Sequence, residues 1–194
     1  MKRSRCAAVG AILVVSSLLG QASSAPARAH KQRPSLAGSC AGAKLQPTHA
    51  NLSRVTAATL CLIEHERHAY HLGLLRSDGS LHRIAAKQAK EMVIGDYFGD
   101  NSLRGWTPID RIKVSRYARR GRRLAAAQNI GWGTHGLATP AAMVRGWMLS
   151  PEHRQIMLTG AYRDIGVGVA PAAPASLTGG APGATYTVEF AARG

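Results

Sequence analysis

The sequence is poor in aromatic residues, which fill 5% of its 194 positions, and it carries three cysteines. It has no internal repeat, which excludes a solenoid or fibrous architecture. It has no serine-nucleophile motif, no Gly-rich phosphate loop and no paired catalytic carboxylates, so these signatures of catalysis and nucleotide binding are missing. Acidic residues are few: 10 Asp and Glu stand against 25 Lys and Arg, for a formal charge of +15. After the first 20 residues no stretch is long and apolar enough to span a membrane. The length suits one domain with a real core and is too short for two.

What is present begins with a leader pattern. Lys2, Arg3 and Arg5 form a cationic start, Ala7 to Leu19 an apolar run, and Ala27-Arg28-Ala29 an A-x-A site. This is the layout of a cleavable secretory signal, with cleavage expected after Ala29. The apolar run falls short of the roughly 20 residues of a membrane anchor. The chain is therefore expected outside the cell or in its envelope. Loss of Lys2, Arg3, Arg5 and Arg28, with no acid among the first 29 residues, lowers the formal charge from +15 to +11. That excess favours anionic partners such as wall polymers or lipid headgroups. Nucleic acid is not expected, because the chain is exported and lacks interleaved aromatics or a nucleic-acid motif.

Cys6 lies in the signal, so Cys40 and Cys61 are the one pair left to an exported chain. A bridge between them closes a loop of roughly 20 residues and contributes on the order of 3 kcal/mol.

Residues 30–50 read as a polar arm, and residues 51–194 as the domain. A long helix starts at Asn51 or Ser53, with Leu52, Val55, Thr59, Leu62, Ile63, Ala69 and Tyr70 near one face. Glu66 falls on that stripe and needs a partner such as Arg67 or a backbone amide. A second helix covers Ser80 to Ile94, with Gln88 at a core-facing position. Thr107-Pro108, Thr139-Pro140 and Ser150-Pro151 each place a capping residue before a proline, predicting helices from Thr107 to about Tyr117, Thr139 to Leu149 and Ser150 to about Leu158. Alternation predicts strands at Ala126–Trp132, Asp164–Ala170 and Thr185–Ala191. The Pro/Ala/Gly-rich stretch Pro171 to Gly183 reads as a mobile loop. The pattern is α+β.

Six segments, in this order, resemble the CAP (SCP-like) superfamily in its bacterial secreted branch. They are T-L-C-L-I-E-H-E-R (59–67), A-K-Q-A-K-E-M-V-I-G-D-Y-F (86–98), G-W-T-P-I-D-R-I (105–112), A-Q-N-I-G-W-G (127–133), W-M-L-S-P-E-H-R-Q-I-M-L (147–158) and D-I-G-V-G-V-A (164–170). The resemblance implies a three-layer α-β-α sandwich around a small, mainly antiparallel sheet. It also implies a cleft in which full-cavity members place two His and acidic groups able to hold a divalent metal.

Residue by residue, that set is only partly kept here. The His of the family's S-P-G-H-R segment falls on His153. The other His position falls on Asp100, the G-E-N-I Glu on Gln128, a further acidic position on Ser150, and a second-helix His on Gln88. An amide keeps the shape and hydrogen bonds of a carboxylate but neither its charge nor its capacity to accept a proton. Asp100 and His153 alone make a weak zinc site, so no cofactor is expected.

The remaining clusters have plain readings. His65, His68 and His71 are not an H-E-x-x-H motif, the first two being three apart, and form a solvated face. Arg116, Arg119, Arg120, Arg122 and Arg123 make a basic loop. Trp106, Trp132 and Trp147 pack in the core or line the cleft, and Glu152 complements a helix N-terminus. The preferred function is a secreted, non-enzymatic binding or interaction module for an anionic envelope polymer, a lipid or a small ligand, with Asp100, Gln128, Ser150 and His153 as cavity candidates. The alternative is an extracellular hydrolase, metal-assisted if an ion binds, with His153 as base or ligand beside Asp100.

Overall fold

A computed structural model describes residues 40–120 and 123–194. The expected signal, its cleavage site and the arm up to residue 39 lie outside the described residues, as does Arg122. The elements are α1 (Leu52–Ala69), β1 (Arg76–Ser77), α2 (Gly79–Ile94), α3 (Pro108–Lys113), β2 (Leu124–Thr134), α4 (Pro140–Leu149), α5 (Pro151–Met157), β3 (Asp164–Ala170), α6 (Ala175–Thr178) and β4 (Gly183–Arg193). The four strands form one sheet in the order β1-β3-β4-β2, antiparallel except for the short β1–β3 pairing.

Strand alternation builds the layers. Ile165, Val167 and Val169 of β3 and Tyr186, Val188 and Phe190 of β4 share a buried cluster with Val55, Leu62 and Ile63 of α1, Val144 and Trp147 of α4 and Met157 of α5. The intervening residues of both strands face α2 and α3. Leu81, Ile112, Tyr117 and Ala191 form the smaller cluster on that side. The architecture is the expected α-β-α sandwich.

Two glycines set the distance between α2 and the sheet. A Cβ on Gly166 would lie 2.2 Å from the carbonyl carbon of Leu81, and one on Gly168 would lie 2.1 Å from the amide nitrogen of Ala86. The helix backbone therefore rests directly on β3, which requires residues without side chains.

The expected capping motifs vary in detail. Asp78 caps α2 by accepting from the amides of Ser80 and Leu81. Thr107 and Asp110 close a capping box on α3. That helix ends at Lys113 rather than near Tyr117, because the Ser115 hydroxyl donates to the Ile112 carbonyl and accepts from the Tyr117 amide. Asn51 precedes α1, but its side chain turns back to the Thr48 amide and the Gln46 carbonyl. The stretch Pro171 to Gly183, read as a loop, carries the single turn α6, pinned where the Asp96 carboxylate accepts from the Ser176 amide at 2.8 Å.

The buried charge on α1 is also not the expected one. Glu66 is half-buried, and Arg67 is the residue that is fully enclosed. Its guanidinium donates to the carbonyls of Gly73, Met157 and Thr159, tying the end of α1 to the turn before β1 and to the end of α5. Glu64 serves the same junction by accepting from the Leu75 amide at 2.8 Å.

Cys40 and Cys61 are disulfide-bonded. The bridge joins residues 40–50 to α1, and this segment is also held by the Ala141 amide donating to the Ala43 carbonyl. Replacing both cysteines with serine is expected to lower unfolding stability by about 3 kcal/mol, measured by denaturant titration against the oxidised protein.

Candidate functional site

The four cavity candidates come from three parts of the fold. Gln128 sits in β2 opposite Glu189 of β4, and its Nε2 donates to Glu189 Oε1 at 2.6 Å. Its neighbour Asn129 points to the other face of the strand, where Nδ2 donates to the His153 carbonyl at 3.0 Å. His153 lies in the first turn of α5, and its Nδ1 is 2.8 Å from the hydroxyl of Ser150, the residue between α4 and α5. Asp100 is exposed, in the segment between α2 and α3, and its backbone carbonyl accepts two hydrogen bonds from Arg111 at 3.0 Å. Hydrogen bonding thus pairs Gln128 with Glu189, Ser150 with His153, and Asp100 with Arg111. Among the described residues, the group of three ligand-type side chains close enough to share an ion is Cys40, Cys61 and His65, and both sulfurs there are in the disulfide.

Sequence reading missed two charged members of this region. Glu189 is completely buried, and its Oε1 lies 3.7 Å from Arg111 Nη2. Burial pushes the Glu189 carboxyl up to about 7; the hydrogen bond from Gln128 and the charge of Arg111 oppose that rise, and Asp100 adds to it. Glu189 Oε2, Gln128 Oε1 and Arg111 Nε are all buried without a protein partner. Gln88, flagged from its core-facing position, is fully buried and donates to the Tyr97 hydroxyl and the Gly99 carbonyl, both at 3.2 Å, fixing the chain after α2. The alternation of T-Y-T-V-E-F was the available signal for Glu189. With helices over both faces of a sheet, the residue opposite an apolar face is buried too.

Arg111 opens on its other side into a groove of about 600 Å³ between α2, α3 and the segment joining them. Its apolar lining is Ile84, Ile94, Leu103, Trp106 and Val114, and its cations are Lys87, Lys90, Arg104 and Arg111. One acid, Glu91, shares the lining, and its carboxylate accepts from the Leu103 amide at 3.1 Å. Ile94, Leu103, Trp106 and Val114 are exposed. Of the three tryptophans, Trp147 is in the core with Nε1 donating to the Ile130 carbonyl, Trp106 lines this groove, and Trp132 is exposed.

The sequence model of the CAP family, the cysteine-rich secretory protein family, matches residues 60–186. The chain belongs to the CAP family. The match takes in Asp100, Gln128, Ser150 and His153 and ends before Glu189. No curated protein sequence matches the chain. Solved structures similar in fold to this chain include three bacterial proteins. An outer surface protein from Borrelia burgdorferi is 19% identical, with a TM-score of 0.55 over 70% of this chain and 90% of its own. An extracellular SCP-domain protein from Bacillus anthracis is 23% identical, with a TM-score of 0.53 over 73% of this chain. A cysteine-rich secretory protein from Staphylococcus aureus is 19% identical, with a TM-score of 0.54 over 75% of this chain. This chain covers 40% of each of the latter two proteins.

Proposed function

We propose that this CAP domain is an exported, non-catalytic binding module that takes an anionic amphiphile of the cell envelope into the groove between α2 and α3. The observation that carries the reading is the groove itself, an exposed apolar trough with four cations and one acid in its lining. Each buried methylene of an acyl chain contributes about 0.8 kcal/mol, and the cations supply the selectivity for a negative head. A volume of this size is that of a small-molecule site. Export rests on the leader pattern, and the Borrelia and Bacillus proteins of the same fold are described as outer-surface and extracellular. The non-catalytic reading rests on Gln128, whose amide cannot act as a base and is engaged with Glu189.

Calorimetric titration of the mature domain with decane-1-sulfonate, below its micellar concentration, tests this. Saturable micromolar binding is expected. Trp106→Ala and the pair Lys87→Glu, Lys90→Glu are each expected to weaken it about tenfold, a change of about 1.4 kcal/mol. Absence of saturable binding, or binding indifferent to both changes, overturns the reading.

A further inference from the structure

The groove has an unusual floor. Arg111 is about nine-tenths buried: 10% of its side chain is accessible, against 0% for Glu189. Its guanidinium is held in place by the carbonyls of Asp100 and Trp106 at 2.9–3.0 Å. Its only facing carboxylate within ion-pair distance among the described residues is Glu189, at 3.7 Å. Nε of Arg111 and Oε2 of Glu189 are both unpartnered. A cation so fixed, open to the groove on one side and to a buried acid on the other, can serve either of two anions.

We propose that Arg111 is the residue that anchors the anionic head of the groove's ligand, and that Glu189 is its buried, protonatable counter-ion, so that ligand capture takes up a proton. This rests on the groove reading above. With the groove empty, a charged Glu189 is compensated by Arg111. A ligand anion drawn to the same guanidinium places a second negative charge beside a carboxylate that has no access to solvent. The carboxylate is relieved by protonation, and the Gln128 amide remains available to the neutral form. The elements packed around Glu189 offer few competing titrations. β2 presents Gln128, β3 presents Gly166 beneath Leu81 of α2, α3 presents Arg111, and the segment between α2 and α3 presents Tyr97, which feels Arg111, and Asp100, whose charge pushes Glu189 upward. Glu91 also charges the Tyr97 side. Asp100 is the acid that a control must remove.

Burial already holds the Glu189 carboxyl at about 7, and a bound anion raises it further. Binding then takes up a proton between the two values, and affinity falls as the pH rises. The probe is again decane-1-sulfonate, whose own charge is constant across this range. Calorimetry at about pH 7.5 in two buffers of different ionisation enthalpy is expected to read uptake of about half a proton or more per ligand bound, with the dissociation constant rising about tenfold from roughly pH 6.5 to pH 8.5. Glu189→Gln is expected to bind at the low-pH affinity throughout, and Asp100→Asn to keep the pH dependence. Binding without proton uptake in the wild-type protein, or pH dependence that survives in Glu189→Gln, overturns the inference and leaves the groove reading standing. Absence of binding at every pH overturns both. The proton count is made on the unaltered protein, so the test does not depend on the variant folding.

Discussion

Gly168→Ala is expected to lower the melting temperature by about 12 °C, corresponding to a loss of about 4 kcal/mol. The added methyl would fall 2.1 Å from the Ala86 nitrogen, 2.2 Å from the Ala85 carbonyl carbon and 2.5 Å from the Ala85 oxygen. All three are backbone atoms of α2, so no rotamer change relieves the clash. The helix must lift from the sheet, which opens the interface holding Leu81 and Ile112 against Ala191. Gly146→Ala is the matched control. This glycine is exposed within α4 with nothing near its missing Cβ, and alanine there is expected to stabilise by up to about 1 kcal/mol. Thermal unfolding of the two variants side by side checks both signs. Equal melting temperatures would show that α2 does not rest on β3 at this distance.

Arg67→Leu is expected to give the second large loss, about 4 kcal/mol when measured by denaturant titration. The leucine retains some of the packing, but the carbonyls of Gly73, Met157 and Thr159 lose the donor that joins them, and that of Met157 is left buried without a partner. Burial holds the Arg67 guanidinium below its usual value, with Glu64 opposing that shift. Arg67→Lys keeps the charge but offers a point donor in place of a planar fork. It is expected to recover less than half of the loss, because one ammonium cannot span carbonyls from two separate segments. Full recovery by lysine would mean that charge, not the geometry of the fork, holds the junction.

The layers of this fold were legible because local signals agree with the final packing. The Thr-Pro and Ser-Pro pairs start α3, α4 and α5 where expected, and the alternation in D-I-G-V-G-V-A and T-Y-T-V-E-F-A places β3 and β4. What sequence periodicity left open were features decided by distant partners. β1 is two residues long and exists because Arg76 and Ser77 meet Asp164 and Ile165. On α1, neighbouring Glu66 and Arg67 compete for the same edge of the buried stripe. The long guanidinium wins because three carbonyls from other segments surround it.

The candidate site shows the same division. The family pattern pointed to Asp100, Gln128, Ser150 and His153 as cavity candidates, and not to Arg111 and Glu189. Arg111 lies on a six-residue helix and reads as a solvated cation; Glu189 lies in a strand whose alternation looks half-solvated. Only the packing of α3 beside β2, the neighbour of β4 in the sheet, brings them to 3.7 Å.

The bridge between Cys40 and Cys61 also routes mechanical load. A pull applied to the chain ahead of residue 40 passes through the sulfurs into the middle of α1 and bypasses the residues between them. The covalent short circuit spans a sequence separation of 21, which hides roughly 70 Å of contour length from any tether. Tension reaching the domain therefore tests the seating of α1 on the sheet before it can peel the segment that precedes the helix.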